Sequence, residues 1–457
     1  MDAGSPQNRD TWGSKTAFIL AAAGSAIGLG NIWGFPTQAG MNGGAAFLVI
    51  YLIAVALIGA PVMLAELVVG RHTLRNPVGA FKQLAPRSAW YVVGALGVLG
   101  GLMILSFYSV IAGWTLAYIF KTAMGAFAGA TTAAATETVF AGIAGKAPVA
   151  IAWHLAFMAL TIWVVLGGIR GGIEKWTKVL MPILFVLLIL LAVRAVTLPG
   201  AGAGLEFYLK PDFSVVNGGV VLSAIGQAFF SLSLGMGAMI TYGSYVSKQQ
   251  GLVSSTAWVT GADTAIAVLA GLIIFPTMFR AGFDPAVTGP NMVFVVLPSL
   301  LSDIPLGTFF GTGFFILLAI AALTSSVSLL EVGITWAVDE KGWTRRKASF
   351  ALGGVAFLVG IPSALANGAV SWLTQIPGVG MDFLSLWFTI FGSLALVVGA
   401  LLISLFVGWQ WGVAKAVEEV EVGGVGFALR GLWSFLIRFA CPAALIAILV
   451  QQIVQFL

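Results

Sequence analysis

A chain of 457 residues that is 59% hydrophobic and only 9% charged, with a mean hydropathy of +1.02, lies outside the range of soluble folds and reads as a polytopic membrane protein. Its net charge of +5 and isoelectric point near 9.3 are accounted for by loop lysines and arginines and do not indicate nucleic-acid binding. Cys441 is the sole cysteine, which excludes an internal disulfide.

In chain order, the polar leader from Met1 to Trp12 runs into an apolar segment that continues into a second one. No cleavable signal peptide is therefore expected, and residues 1–13 are read as a cytoplasmic N-terminal segment. Apolar runs of about 20 residues, the length that crosses a bilayer as helix, follow near 14–39, 44–70, 90–121, 148–168, 175–197, 218–246, 256–279, 306–338, 347–366, 383–409 and 431–456. The expected fold is all-α with eleven transmembrane helices, the long third and eighth tilted or extended beyond the lipid. With the N-terminus inside, the cytoplasmic segments hold sixteen Lys and Arg, among them Arg71, Arg75, Lys82, Arg170, Lys178, Lys341 and Arg345. The outer segments hold five: Lys121, Lys146, Arg194, Lys210 and Arg280. That bias predicts an inside N-terminus, and an odd span count then puts the C-terminus outside. No soluble domain is visible, and the one biased stretch is the Ala/Thr/Gly-rich outer loop from Gly125 to Thr136.

Two spans are interrupted by glycine and small polar residues: the first at GSAIGLGNIWGFP from Gly24, the sixth at FFSLSLGMGAM from Phe229. A lipid-embedded backbone cannot leave its amides and carbonyls unpaired, so paired breaks near mid-membrane imply bound ions or polar solutes, hence a transporter. The breaks lie five spans apart, and five is odd, so the second unit enters the membrane from the opposite side. This predicts a five-plus-five inverted repeat, residues 14–200 and 215–410, followed by a cytoplasmic loop and an additional span in 411–457. Breaking a helix exposes amides on one half and carbonyls on the other, with opposite partial charges that suit a zwitterion.

The run from Gly24, NGGAAF from Asn42, EL at Glu66 with GR at Gly70, GQAFFSLSLGMGAMITYGSYV from Gly226 and LTSS from Leu323 together resemble the neurotransmitter:sodium symporter family over almost the whole chain. The similarity is greatest to eleven-span bacterial carriers of hydrophobic amino acids. The resemblance implies that the amides of Leu29 and Gly30 with the Tyr108 hydroxyl hold a substrate carboxylate. Carbonyls of Ala26, Phe230 and Ser231, with the Ser233 hydroxyl, then take the ammonium. It also implies a largely apolar side-chain pocket of Ile104, Tyr108, Phe230, Met236, Ser325 and Leu329. Gly28 stands where monoamine carriers of the family place an aspartate, which favours a substrate that brings its own carboxylate. Met236 replaces a more usual aromatic with an adaptable thioether. Leu, Ile, Val, Met or an aromatic amino acid is expected.

Two sodium ions are implied by the same resemblance, and no organic cofactor. One would lie among Ala26, Asn31, Ser231, Asp263 and the substrate carboxylate; the other among carbonyls of Gly24, Ile27 and Ala321 and hydroxyls of Thr324 and Ser325. Hard cations want such oxygens. Asp263 departs from the family's common Asn, and its fixed charge is expected to make transport chloride-independent. Glu66 is expected to hydrogen-bond unwound backbone of the first span, against the alternative of a helix-packing acid, and Glu331 reads as either a protonation site or a structural partner. Arg9, Trp12, Tyr245 and Asp339 match the family's inner gate. Asp382 matches its outer acid, but Gly34 stands in place of the usual arginine, so that ion pair is absent and an aromatic closure by Trp33, Tyr108 and Phe230, or another cation, is expected instead. Gly172 and Pro182 read as a hinge in the fifth span.

Competing signals are weak. The Gly24, Gly28, Gly30 cluster follows no strand and is no dinucleotide loop. Gly97, Gly100 and Gly101 read as helix contacts, and His72 and His154 have no partner at metal-ligand spacing. Ser325 and Ser326 lack a base, so no enzymatic activity is expected. The sequence thus predicts an inner-membrane, sodium-coupled importer of hydrophobic L-amino acids working by alternating access. Proton coupling through Glu66, Asp263 or Glu331 stands as one alternative, and a non-transporting channel or sensor as another.

Overall fold

The computed structural model describes residues 10–129, 132–286, 291–302, 304–424 and 426–456; Arg9 lies outside them. Among the described residues the chain is helical, with nine continuous apolar helices long enough to cross a membrane: Ala45–Thr73, Tyr91–Ala123, Ala147–Leu166, Ile169–Val196, Leu252–Arg280, Gly307–Lys341, Arg345–Leu365, Phe383–Gln410 and Arg430–Val454. Lys15–Ala26 and Gly30–Met41, bent by 52° at their junction, form a tenth, broken span. The run expected as the sixth span is two short helices, Gly218–Ser231 and Ala238–Gly243. A count of eleven therefore depends on joining two pieces, neither of which spans a bilayer alone.

The third span (Tyr91–Ala123) and the eighth (Gly307–Lys341) are the most enclosed and lie against each other at the centre. Their continuous apolar sequence, without a clear polar stripe, is what a helix buried on all sides requires. Large apolar side chains on the fourth, fifth and ninth spans, such as Trp163, Val186 and Leu358, face outward as a lipid-covered surface demands. Shorter helices lie in connections read from sequence as loops, among them Pro77–Leu84, Ala133–Ala144 and Met292–Ser302. Ala133–Ala144 begins inside the Ala/Thr/Gly-rich segment. There Thr132 caps the first turn by accepting from the Ala135 amide, and Thr136 donates to the Val295 carbonyl at 2.7 Å.

Both breaks have local causes. In the first span the helix stops at Ala26, Ile27 turns extended (φ −70°, ψ 110°), and Gly30–Gly34 resumes as a π-wound turn. In the sixth, Leu232–Gly237 carries three residues with positive φ: Ser233 (54°), Gly235 (85°) and Gly237 (76°). Gly235 also has no room for a side chain, since a Cβ would lie 2.1 Å from the Leu396 carbonyl oxygen of the tenth span. The unwound segment is thus pressed onto span ten, and only glycine meets both the conformational and the steric demand. Gly97 performs a related task. A Cβ there would sit 3.1 Å from the Met236 carbonyl, so this glycine lets the third span approach the sixth-span break, whereas Gly100 faces open space.

Candidate functional site

The two breaks meet. Ser233 Oγ donates to the Ser25 carbonyl at 3.0 Å and Gln227 Nε2 donates to the Gly30 carbonyl at 2.8 Å, tying the sixth-span break to the first. The Leu29 amide donates to the Tyr108 hydroxyl at 3.2 Å, bringing the third span to the same point. A Cβ on Gly28 would lie 2.6 Å from Ser325 Oγ and 2.8 Å from the Tyr108 hydroxyl oxygen. Exposed backbone, one phenol and one hydroxyl from the eighth span therefore converge on Gly28, with Ile104, Met236 and Leu329 buried. That combination of peptide dipoles and apolar walls suits a zwitterion with an apolar side chain.

Above this point lies a cavity of about 550 Å³ whose lining includes Leu29, Trp33, Tyr108 and Phe230 and, among described residues, no charged side chain. Ala26, Gly28, Ile104, Ser231, Ser233, Met236, Ser325 and Leu329 do not line it and are buried.

Oxygens cluster at two places beside the breaks. Ser325 Oγ is 3.1 Å from the Ile27 carbonyl, 3.2 Å from that of Ser25 and 3.5 Å from that of Gly24, and Thr324 Oγ1 is 3.1 Å from the Ala321 carbonyl. The residues of the second expected ion set are therefore together, and the donors are the neutral hydroxyl and carbonyl oxygens that a monovalent hard cation accepts. The first set centres on Asp263, fully buried in the seventh span. Its carboxylate accepts from Asn31 Nδ2 at 2.7 Å and from Ser231 Oγ at 2.8 Å, while the Tyr51 hydroxyl donates to Ser231 Oγ at 3.3 Å. Asn31 Oδ1 accepts the Gly28 amide at 3.0 Å, so this side chain links the carboxylate directly to the first break.

One expected support residue has a different partner from that read in sequence, and the others take partners the sequence left open. Glu66 Oε1 accepts the Gly235 amide at 2.7 Å, so this acid secures the unwound backbone of the sixth span; the positive φ of Gly235 aims that amide at it. This corrects the expected bond to the first span. Asp382 caps the tenth span, accepting from the Ser385 amide at 2.9 Å and Ser385 Oγ at 2.6 Å. Glu331 is ion-paired to Arg345 and accepts from the Tyr245 hydroxyl at 3.0 Å. On the fifth span, Gly168 (φ 75°) starts a π-wound turn from Ile169 to Glu174 that contains Gly172, and Pro182 lies inside the following helix.

The end of the bundle away from this cavity is closed by the N-terminal segment. Trp12 is buried, its indole donates to the Tyr242 carbonyl at 3.1 Å, and its ring meets Tyr242 and Tyr245 edge-on at 5.3 and 6.1 Å. Arg170 holds the Thr11 carbonyl at 2.8 Å and Glu174 accepts the Gly13 amide at 2.9 Å. Asp339 accepts from the Asn76 backbone at 3.0 Å. Sequence reasoning passed over Gln227, Tyr51, Arg170 and Glu174. Gln227 and Tyr51 carried a signal as polar groups within a turn or two of a break or inside an apolar run; the other two sit among ordinary loop charges.

The chain matches the model of the Sodium:neurotransmitter symporter family over residues 9–139 and 141–457. It is 41% identical over 450 residues to an uncharacterized sodium-dependent transporter of Bacillus subtilis (strain 168), covering 98% of this chain and 99% of that protein. A second uncharacterized sodium-dependent transporter, from Haemophilus influenzae, is 35% identical over 459 residues, covering 98% and 99%. The crystal structure of MhsT in complex with L-phenylalanine is similar throughout, with a TM-score of 0.88 at 45% identity over 97% of this chain and 100% of that one.

Proposed function

This chain belongs to the sodium:neurotransmitter symporter family, a family of sodium-dependent membrane transporters, and we propose that it imports hydrophobic L-amino acids with sodium by alternating access. The observation that carries the reading is the meeting of the two helix breaks around Gly28, a position that itself supplies no acid and lies against Ser325 and Tyr108, leaving the carboxylate to come from the substrate. The substrate carboxylate would take the Leu29 and Gly30 amides with Tyr108, and its ammonium the carbonyls of Ala26, Phe230 and Ser231 beside Ser233. Ile104, Met236, Ser325 and Leu329 would then enclose the side chain. Phenylalanine in the similar MhsT complex supports an apolar substrate.

Two sodium ions fit the oxygens present. One would take Gly24, Ile27, Ala321, Thr324 and Ser325; the other Ala26, Asn31, Ser231, Asp263 and the substrate carboxylate. Ligation by Asn31 requires its amide to turn, because Nδ2 faces Asp263 in this structure. Sharing an ion with the carboxylate couples the two bindings reciprocally. The Asp263 carboxylate, seated among Asn31, Ser231 and Tyr51, supplies a fixed anion, so transport is chloride-independent. The repeats occupy 14–200 and 215–410, the N-terminus is cytoplasmic, and the membrane is a bacterial inner membrane.

Uptake into proteoliposomes tests the reading. Concentrative accumulation of labelled L-leucine or L-phenylalanine driven by an inward sodium gradient is expected. Accumulation driven by a pH gradient without sodium would make it a proton carrier, and sodium-dependent binding without accumulation a sensor or channel.

A further inference from the structure

The arginine expected to oppose Asp382 is glycine at position 34, and Asp382 spends both carboxylate oxygens on Ser385. What crosses the floor of the outer cavity is a row of rings. Phe230 lies over the first-span break, where a Cβ on Gly30 would be 3.0 Å from its ring. Its centroid is 5.4 Å from that of Phe388 at 69°, and Phe388 meets Phe107 at 5.8 Å and 72°. These are edge-to-face contacts, the favourable arrangement for aromatic pairs. Phe388 sits where the tenth span becomes π-wound, at Phe388–Leu394. Gly392, one turn on, leaves it room, since a Cβ there would come within 3.1 Å of Phe388 and 3.2 Å of Phe107. Phe388 lines the cavity and is still 37% exposed, so closure of the outer side has apolar area left to bury at this ring.

We propose that Phe388 is the outer-gate residue of this chain: it closes over Phe230 and retains the substrate by ring contact, in place of an ion pair. The inference deepens the transport reading and rests on it. A gate made of rings has no charge for salt to screen, so retention does not depend on ionic strength.

The test is release of labelled L-phenylalanine from purified, lipid-reconstituted protein loaded in sodium chloride, followed after dilution into unlabelled phenylalanine at constant sodium. Phe388→Ala releases roughly 2- to 10-fold faster than wild type, the range expected for losing edge-to-face pairs. Phe388→Tyr keeps the ring and stays near the wild-type rate. Phe388→Leu covers the case in which the alanine variant does not fold, and it too releases faster than Phe388→Tyr. Raising ionic strength at fixed sodium leaves wild-type release unchanged. Wild-type release rates in Phe388→Ala or Phe388→Leu, or wild-type release that accelerates with ionic strength, overturn the gate. Wild-type protein that binds neither phenylalanine nor leucine in sodium overturns the transport reading itself, and is recognised because it needs no variant.

Discussion

On the proposed reading, substrate and ion chemistry turn on two single side-chain choices, Gly28 and Asp263. At Gly28 the question is space: a Cβ would overlap Ser325 Oγ at 2.6 Å and the Tyr108 hydroxyl at 2.8 Å. Tyr108 also holds the Leu29 amide, so it cannot retreat without releasing the first-span break. Overpacking of this kind costs about 1–3 kcal/mol, which corresponds to a loss of roughly 5- to 150-fold in affinity. Gly28→Ala is therefore expected to weaken sodium-dependent phenylalanine binding by at least fivefold in calorimetry while leaving the elution profile of the protein unchanged. Asp263 is a matter of charge. Its carboxylate is fully buried against the neutral donors Asn31 and Ser231, and on the proposed reading a sodium ion supplies the opposite charge. Truncating one partner of a buried charge pair costs upward of about 2 kcal/mol, hence about 30-fold or more in affinity. Asp263→Asn should lose at least that much sodium affinity, or regain it only when chloride is supplied. Uptake by this variant that stays sodium-dependent, saturable and indifferent to chloride would remove Asp263 from the ion site.

Among elements, the broken spans were legible because glycine runs inside apolar segments violate the rule that lipid-embedded backbone must satisfy itself. The shape of each break was not. Which carbonyl of span ten presses on Gly235, and that Glu66 secures this segment and not the first span, depends on three-dimensional neighbours that no local pattern encodes. Phe388 was illegible for the same reason, since an aromatic in an apolar span looks like any lipid anchor until Phe230 is seen beside it. A latch between loops was illegible likewise. Glu419, on the short helix Val413–Glu421, accepts from Arg71 Nε at 2.8 Å, Lys248 Nζ at 2.8 Å and His72 Nδ1 at 2.9 Å, joining the second span to the loop after the sixth. Burial alone would raise the Glu419 carboxyl, but Lys248, His72 and Arg71 outweigh it and hold it below its ordinary value of 4.5. A carboxyl lowered on folding stabilises fully above that ordinary value and ceases to as pH falls through its lower folded value. Glu419→Gln should thus cost on the order of 3 kcal/mol at pH 7, with the gap to wild type in thermal unfolding narrowing below about pH 4. A gap that is flat with pH would deny the latch its ionic character. The fifth span makes a separate prediction. Pro182 removes one helical hydrogen bond just beyond the π-wound Ile169–Glu174 turn, so Pro182→Ala should slow turnover about tenfold while leaving equilibrium phenylalanine binding intact. Gly172→Ala is the poorer probe, because its Cβ would strike the Val164 carbonyl at 2.1 Å and distort the resting fold.

For the whole molecule, the uneven treatment of its two sides is the mechanistic fact. In the proposed orientation the outer side holds an open cavity over Phe230 and Tyr108, while the inner side is closed by Trp12 under Tyr242 and Tyr245 and by Arg170 and Glu174 on the fifth span. A transporter must hold these two conditions alternately, and a ligand shifts the balance only by binding one of them better. Sodium, on the proposed reading, binds where the first span touches the eighth at Thr324 and Ser325, contacts that are made in this structure together with the Trp12 seal. Its apparent affinity is then the intrinsic affinity reduced by the fraction of protein that is inner-closed. Trp12→Ala removes the buried indole, its hydrogen bond to Tyr242 and two edge-on ring contacts, a loss of about 3 kcal/mol by the usual cost of deleting a buried tryptophan. If the wild type favours the inner-closed form by less than that, the variant becomes mostly inner-open, and its sodium midpoint must rise although no sodium ligand has been touched. The expected outcome is at least a fivefold increase in the sodium concentration that half-maximally raises thermal stability, with unlabelled phenylalanine partly restoring it because substrate favours the same closed form. A midpoint that does not move would mean that the N-terminal seal and the ion site are uncoupled, and that the inner side opens by some route other than release of Trp12.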